Sequence, residues 1–443
     1  MSENRYTLDT MPLRKIHWRV FLYTLLGFFT AGYVIALISI ALPYAVEEFA
    51  MNAYWQGMIG SAILLGILIG AFIFGKPADA IGRQKMYFWH FVLLIALSLW
   101  GFLINSTISL FLMRFCCGLM IGIELIVGAA YLTETIPSRV RGAWLAAMIA
   151  AWVFGGLLGN VITYAISTGS GNWQLMLATG AIPAALSLIV GIGIPETTKW
   201  LLSKNQINKA KEVTAKYFGA DVDLDDQIEL LCNKTQVKQK GEYSVVLSPP
   251  YLKRTLFGGL FWICQLVPYY AIATYTPTVL STLGVGDGNS GTVLVNVFAT
   301  AGAIIGMFLM DRFPRRVFII VTYVLTFIPL LILGLFGNMS GAIVSILFCI
   351  GMFFLLMGSD LQNVYPPELF PTKYRGTGVG VVSSMSRIGG IIGSFAFPAV
   401  MASFGTAFAM TACAAFAVLG VIISFFWAPE TSGVDLDDMS LYK

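Results

Sequence analysis

Read for the alternation of apolar and polar positions, the chain breaks into long apolar runs separated by short polar stretches. Crossing about 30 Å of hydrocarbon takes roughly 20 helical residues, and twelve runs are long enough. They cover approximately 18–42, 55–75, 86–104, 108–132, 143–167, 173–195, 254–280, 289–310, 317–336, 341–363, 377–402 and 405–427. The longest polar interval, 196–253, divides them six and six. The pattern predicts an all-α membrane protein of twelve transmembrane helices in two pseudo-symmetric six-helix halves, residues 1–195 and 254–443, the second ending in a tail. Residues 196–253 are expected to form a linker with short amphipathic helices.

Internal repeats support a duplication. The motif E-x-x-P-x-x-x-R-G occurs from Glu134 to Gly142 and again from Glu368 to Gly376, an offset of 234 residues. Pro195-Glu196-Thr197 returns as Pro429-Glu430-Thr431 at the same offset. Each long motif lies where one apolar run ends and the next begins. Proline is expected to stop one helix and glycine to open the next, leaving Glu134 to pair with Arg141 and Glu368 with Arg375. Asp79 and Arg83, between spans two and three, have a counterpart in Asp311 and Arg315, between spans eight and nine. Such brackets suit latches better than catalysis.

Composition strengthens the membrane assignment. Hydrophobic residues make up 57% of the chain and charged residues 11%, too few polar side chains to cover a water-soluble globule of 443 residues. Among the 27 Lys and Arg, only Arg114 and Arg387 lie deep inside spans, Arg19 and Arg254 sit at the first residues of spans one and seven, and the other 23 occupy the ends and the even-numbered loops. Positive loops stay in the cytoplasm, so both termini are expected there. The polar start, Met1 to Pro12, predicts no cleaved leader.

Enzyme chemistry has little to stand on. Gly70 to Lys76 fits a phosphate-loop spacing, but Pro77 replaces the required hydroxyl residue and no strand precedes it. The two histidines, His17 and His90, join no Cys/His cluster or nucleophile–base arrangement, so neither a metal nor another cofactor is expected. Cys116, Cys117, Cys264, Cys349 and Cys413 lie within apolar runs and read as packing residues.

Together, the repeated brackets and the six-plus-six plan resemble the major facilitator superfamily. Arg114-Phe115-Cys116-Cys117-Gly118 and Pro195-Glu196-Thr197-Thr198-Lys199-Trp200-Leu201 are similar to motifs of its sugar-porter-like branch. Within that branch, Gly122-Ile123-Glu124-Leu125, Tyr365 to Thr372 and Ser386-Arg387-Ile388-Gly389 resemble bacterial metabolite/proton symporters, relatives of the nicotinate transporter and of the synaptic vesicle 2 proteins. Those symporters often carry an aspartate before the Gly-aromatic pair of span one, where this chain has Ala31 before Gly32 and Tyr33. Any proton site therefore has to lie elsewhere.

Glu124 is the candidate. It lies about 15 Å from the bracket end of span four, near the midplane, where an ionised carboxylate is costly; proton uptake and release are expected there, against the alternative of permanent pairing with a buried Arg or hydroxyl. Arg387, at similar depth in span eleven, offers a planar fork to a substrate carboxylate, with an internal ion pair to Glu124 or Asp360 as the alternative. Arg114 reads as a packing lock. Gln265, Tyr269, Tyr270 and Thr274 line one side of span seven beside Pro268 and resemble the substrate-contacting span of sugar porters. Tyr33, Trp152, Asn160 and Asn296 are further cavity candidates, and glycines four apart mark helix-packing seams.

The expected function is secondary active transport of a small carboxylate-bearing or sugar-like metabolite. It is expected to be proton-coupled, by a monomer in the bacterial inner membrane, with no nucleic-acid partner. Alternatives are an uncoupled facilitator or exporter, and a non-transporting sensor signalling through 196–253.

Overall fold

The computed structural model describes residues 6–219, 221–225, 228, 242–249, 251–336, 339–371 and 374–431. Asp226, Lys234, Lys238 and Lys240 of the expected linker, Thr372 and Lys373 of the second bracket, and the tail from 432 lie outside these residues.

The first six spans are Lys15–Glu48, Ala53–Ile81, Arg83–Leu103, Thr107–Thr135, Ser138–Gly169 and Trp173–Gly191. The second set starts with Leu252–Thr282, Gly288–Leu309, Arg315–Leu335 and Gly341–Glu368. One helical run, Arg375–Trp427, closes the chain. Its 53 residues at about 1.5 Å each are far too long for one crossing. Gly405, at φ 84° and ψ 166°, breaks it into spans eleven (375–404) and twelve (406–427). A left-handed backbone of this kind is open to glycine at little cost, which is how a turn with no other loop residues is made.

Several spans overshoot the apolar runs because polar residues continue the helices into the interface. The first bracket works differently from expectation, since Pro137 is the residue just before span five and Gly142 lies inside that helix, which Ser138 opens. In the second, the helix ends at Glu368 ahead of Pro371, and Gly376 is the second residue of span eleven, close to expectation. Pro137 is tolerated there because the residue capping a helix donates no N–H to it, so the missing N–H of proline breaks no helical bond.

Helix pairing follows the duplication. Span one packs on span five as seven packs on eleven, and two on four as eight on ten. The seams are glycines. A Cβ on Gly118 would overlap the backbone of span two at Ile63 and Gly66, and one on Gly302 would overlap the span ten backbone at Phe353. Lipid offers no hydrophobic drive between helices, so close backbone approach replaces it. The halves meet through spans two and eleven and spans five and eight. At the end remote from the termini they are bolted together. Tyr275, where span seven kinks, donates to the carbonyls of Gln56 (2.9 Å) and Ser394 (3.0 Å), and Gly57 lies against the Phe395 backbone.

The described part of the linker has short helices at Thr198–Ser203, Ile207–Val213 and Glu242–Val246. Tyr6 forms a bridge with Val222, and Arg14 reaches Asp221 at 2.7 Å, tying the amino-terminal segment to the linker. The Arg14 guanidinium holds the Asp221 carboxyl below the usual aspartate range.

Candidate transport site and its buried carboxylates

A cavity of about 60 Å³ lies between the halves. Trp152 and Asn160 of span five, Tyr269, Tyr270 and Thr274 of span seven, and Asn296 of span eight line it. It therefore gathers five of the eight residues proposed for substrate. Asn160 is partly committed within its own half: its Nδ2 donates to the Gly156 carbonyl and its Oδ1 accepts from Ser39, both at 3.1 Å. Asn296 donates to the Thr292 carbonyl at 2.9 Å.

The other three sit apart from the lining. Tyr33 donates to Thr179 at 3.0 Å inside the first half. Gln265 donates to the Leu355 carbonyl at 3.0 Å and accepts from Gln362 at 2.8 Å, so its amide joins span seven to span ten. Arg387, half-buried, acts on the hydroxyl of Tyr270 and through it borders the cavity; its alternative as an ion-pair partner of Glu124 fails, because Glu124 is enclosed by other residues. Arg114, fully buried, donates to the Ile59 carbonyl at 3.2 Å, as a lock between spans four and two.

Glu124 stands at the start of a single π-helical turn, Glu124–Gly128, in span four. Such turns widen the backbone and recur at functional sites. The carboxylate is 1% exposed and closely caged. The Tyr87 hydroxyl donates to Oε1, and His90 Nε2 lies 2.9 Å from Oε2. A Cβ on Gly27 would overlap the carboxylate itself. The alternative of a hydroxyl partner is thus realised, with an imidazole added.

Proton counting then says what this group can do. His90 Nδ1 faces the Tyr87 carbonyl and Nε2 faces the carboxylate, so two acceptors flank one ring. A neutral imidazole has one N–H. Either His90 carries two protons opposite an ionised Glu124, or Glu124 is protonated and donates to the ring. In both arrangements the pair holds one exchangeable proton at no net charge. Removing it leaves an uncompensated buried charge, which is expensive.

His90 and Tyr87 belong to no metal or nucleophile spacing in the sequence, which is why neither is among the expected site residues. The available signal was simpler: a histidine inside an apolar span is a functional candidate by default.

The repeated motifs converge on one cluster per half. In the first, Glu196 accepts from the backbone N–H groups of Arg83 and Gln84, both at 3.1 Å, at the start of span three, where the helix dipole favours a carboxylate. Burial nevertheless pushes its carboxyl upward, against those bonds. Arg83 pairs with Glu134 and more loosely, at 3.5 Å, with Asp79, and Thr197 donates to Glu134 at 2.9 Å. In the second half Glu430 accepts from the backbone of Arg315 (2.9 Å) and Arg316 (3.1 Å). Arg315 pairs with Asp311 (2.9 Å) and Glu368 (3.4 Å), and Thr431 donates to Glu368 at 2.6 Å. The expected Glu134–Arg141 pair is not formed: Arg141 binds Asp9 at 2.7 Å, because Arg83 already occupies Glu134. For Glu368 the partner is likewise Arg315, while Arg375 opens span eleven.

Tyr131 connects the first cluster to the buried acid. It stacks on Tyr87 with ring centroids 6.2 Å apart and donates to the Pro195 carbonyl, next to Glu196.

Residues 20–441 match the family described as Sugar (and other) transporter. The chain belongs to that family. It is 30% identical to the putative metabolite transport protein YaaU of Escherichia coli K12, over 98% of this chain and 96% of that one. It is 29% identical to the inner membrane metabolite transport protein YgcS of the same organism, with the same coverage. The fold is similar to the inward open xylose transporter XylE of E. coli, with a TM-score of 0.80 and 20% identity over 96% of this chain and 99% of that one. It is also similar to a D-xylose-proton symporter, with a TM-score of 0.75 and 21% identity over 94% and 99%. The chain is accordingly an integral membrane transporter of the major facilitator fold, not an enzyme.

Proposed function

We propose that the protein takes up a small organic solute, carboxylate-bearing or sugar-like, together with protons by alternating access. The Glu124–His90 pair carries the reading: it holds one exchangeable proton inside a membrane span, in the half that also supplies Trp152 and Asn160 to the central cavity. Arg387, beside Tyr270, is the group for a solute carboxylate or hydroxyl. Trp152, Tyr269 and Tyr270 would cover its apolar face, and Asn160 and Asn296 would fix its orientation. The proton symporters among the structural relatives add support. With both termini in the cytoplasm of a bacterial inner membrane, the closure at Tyr275 faces outward and the cavity is poised to open inward.

The clusters around Arg83–Glu134 and Arg315–Glu368 lie within the halves, so they act as latches by setting the shape of each half's inner end. Tyr131 ties the first of them to the proton site. Rocking of the halves about the cavity then links protonation to access.

The test is uptake of a panel of labelled carboxylates and sugars into proteoliposomes under an imposed pH gradient. Glu124→Gln should abolish proton-driven accumulation and retain solute exchange. Accumulation equal to the parent's would overturn the coupling assignment.

A further inference from the structure

Glu124 is not the only carboxylate buried in a span. Asp360 of span ten is 9% exposed, and its Oδ2 has no hydrogen-bond partner. That oxygen lies against Gly306 of span eight, where any Cβ would collide with it. Asp360 borders a second cavity, a partly open groove of about 470 Å³ between spans one, five, eight and ten, lined otherwise by apolar side chains and Thr300.

Two placements connect this acid with transport. Val153 and Thr300 line both cavities, so the groove adjoins the central one. Leu356, in the central cavity, is one helical turn from Asp360 toward the outer end, so the acid stands on the route from the centre to the side of the termini.

No charge compensates it among the described residues. The lining from spans one, five and eight, Leu26, Phe29, Ala147, Phe154 and Met307 among them, contains no titratable group. On span ten the next acid, Glu368, is taken by Arg315 and Thr431. Span seven offers Gln265, already bonded to Gln362, and span eleven offers Arg387, which acts on Tyr270. Packed span nine contributes Arg315, bound to Asp311 and Glu368. An ionised carboxylate with an unpartnered oxygen in such a groove is far costlier than the protonated acid.

We propose that Asp360 is a second proton-binding site, in the second half, and that its protonation clears the inner route for an anionic solute. A proton from water at the inner mouth binds the Asp360 carboxylate and neutralises the groove. The carboxylic acid returns the same proton to water when the groove is wet, and the ionised form then repels a following anion. This rests on the proton-coupled, carboxylate-bearing reading given above.

The experiment uses dicyclohexylcarbodiimide, which reacts with protonated carboxyls in apolar surroundings, on the full-length protein in proteoliposomes, with the modified residue located by mass spectrometry. Asp360 should be labelled, and labelling should fall about tenfold per pH unit once the pH exceeds that group's own pKa. Asp360→Asn should lose the label at 360 and keep any at Glu124. Asp360→Glu, which retains the acid if the Asn variant folds poorly, should be labelled with a pH profile of the same form. Absence of label at 360 at every pH in both the parent and Asp360→Glu overturns the proposal, as does labelling independent of pH. Glu124→Gln is the separate control: unimpaired accumulation in that variant, with Asp360 still labelled, removes the coupling role of Glu124 and leaves the second site standing.

Discussion

The two halves were built from one plan and have diverged where the chemistry lies. The 234-residue offset that carries Glu134 onto Glu368 carries Glu124 onto Gly358, and the 232-residue offset relating Arg83 to Arg315 carries His90 onto Thr322. The same place in each bundle therefore holds an acid and an imidazole in one half and a glycine and a hydroxyl in the other. A Cβ on Gly358 would meet Thr322 Oγ1 and Gln265 Nε2, so neutral groups fill the space that the Glu124–His90 pair fills in the first half. The second half instead has its acid two residues on, at Asp360, beside a cavity. Symmetry preserved the frame, the seams and the inner clusters. Titratable groups are free of it because each is solved locally, by what cages it.

That contrast can be broken most sharply by making the first half resemble the second. His90→Thr alone strands the Glu124 carboxylate and is expected to cost about 3–5 kcal/mol, the range for breaking one side of a buried pair. Adding Glu124→Gly removes the stranded charge, so the double variant should recover much of the loss, less about 1 kcal/mol for glycine in a helix. Denaturant titration in detergent measures both. A double variant less stable than the single one would show that the two halves are not interchangeable in packing.

The seams come next. Gly118→Val and Gly302→Val force a side chain into a facing backbone and should each cost about 1–3 kcal/mol or more. Their effects on the yield of monodisperse protein should match, since the seams are related by the duplication. A harmless variant in one half alone would break the symmetry of the frame.

Smaller effects are expected at the inner clusters. Glu196→Gln and Glu430→Gln keep an acceptor at the start of spans three and nine but lose the charge facing the helix dipole, for about 0.3–1 kcal/mol each. Similar shifts in unfolding midpoint would confirm equivalent clusters.

The smallest effect belongs to an attachment that the second half lacks among the described residues. Arg14 depresses the Asp221 carboxyl, so their tie contributes above the unfolded aspartate value and is lost as pH falls through the lower folded one. Hydrogen exchange near Tyr6 and Val222 should thus be unchanged around neutrality and accelerate only in acid. Asp221→Asn should abolish that pH dependence, and acceleration already near neutrality would assign the tie to another group.

Most of the architecture was legible in the chain. Run lengths of apolar residues gave the spans, because a bilayer of fixed thickness leaves few alternatives. The E-x-x-P-x-x-x-R-G and P-E-T repeats announced the duplication, and glycines four apart located the seams. Glu124, Arg387 and the aromatic face of span seven stood out because polar groups are rare at that depth. Partners were another matter. Whether Arg83 or Arg141 would reach Glu134, whether Gln265 would face the cavity or span ten, and that His90 and Tyr87 would close around Glu124 depended on how helices separated by dozens of residues rotate against each other. Helical periodicity assigns a residue to a face of its own helix. Only packing between helices decides which other face it meets, and so which of two buried acids is caged and which, Asp360, is left open to a cavity.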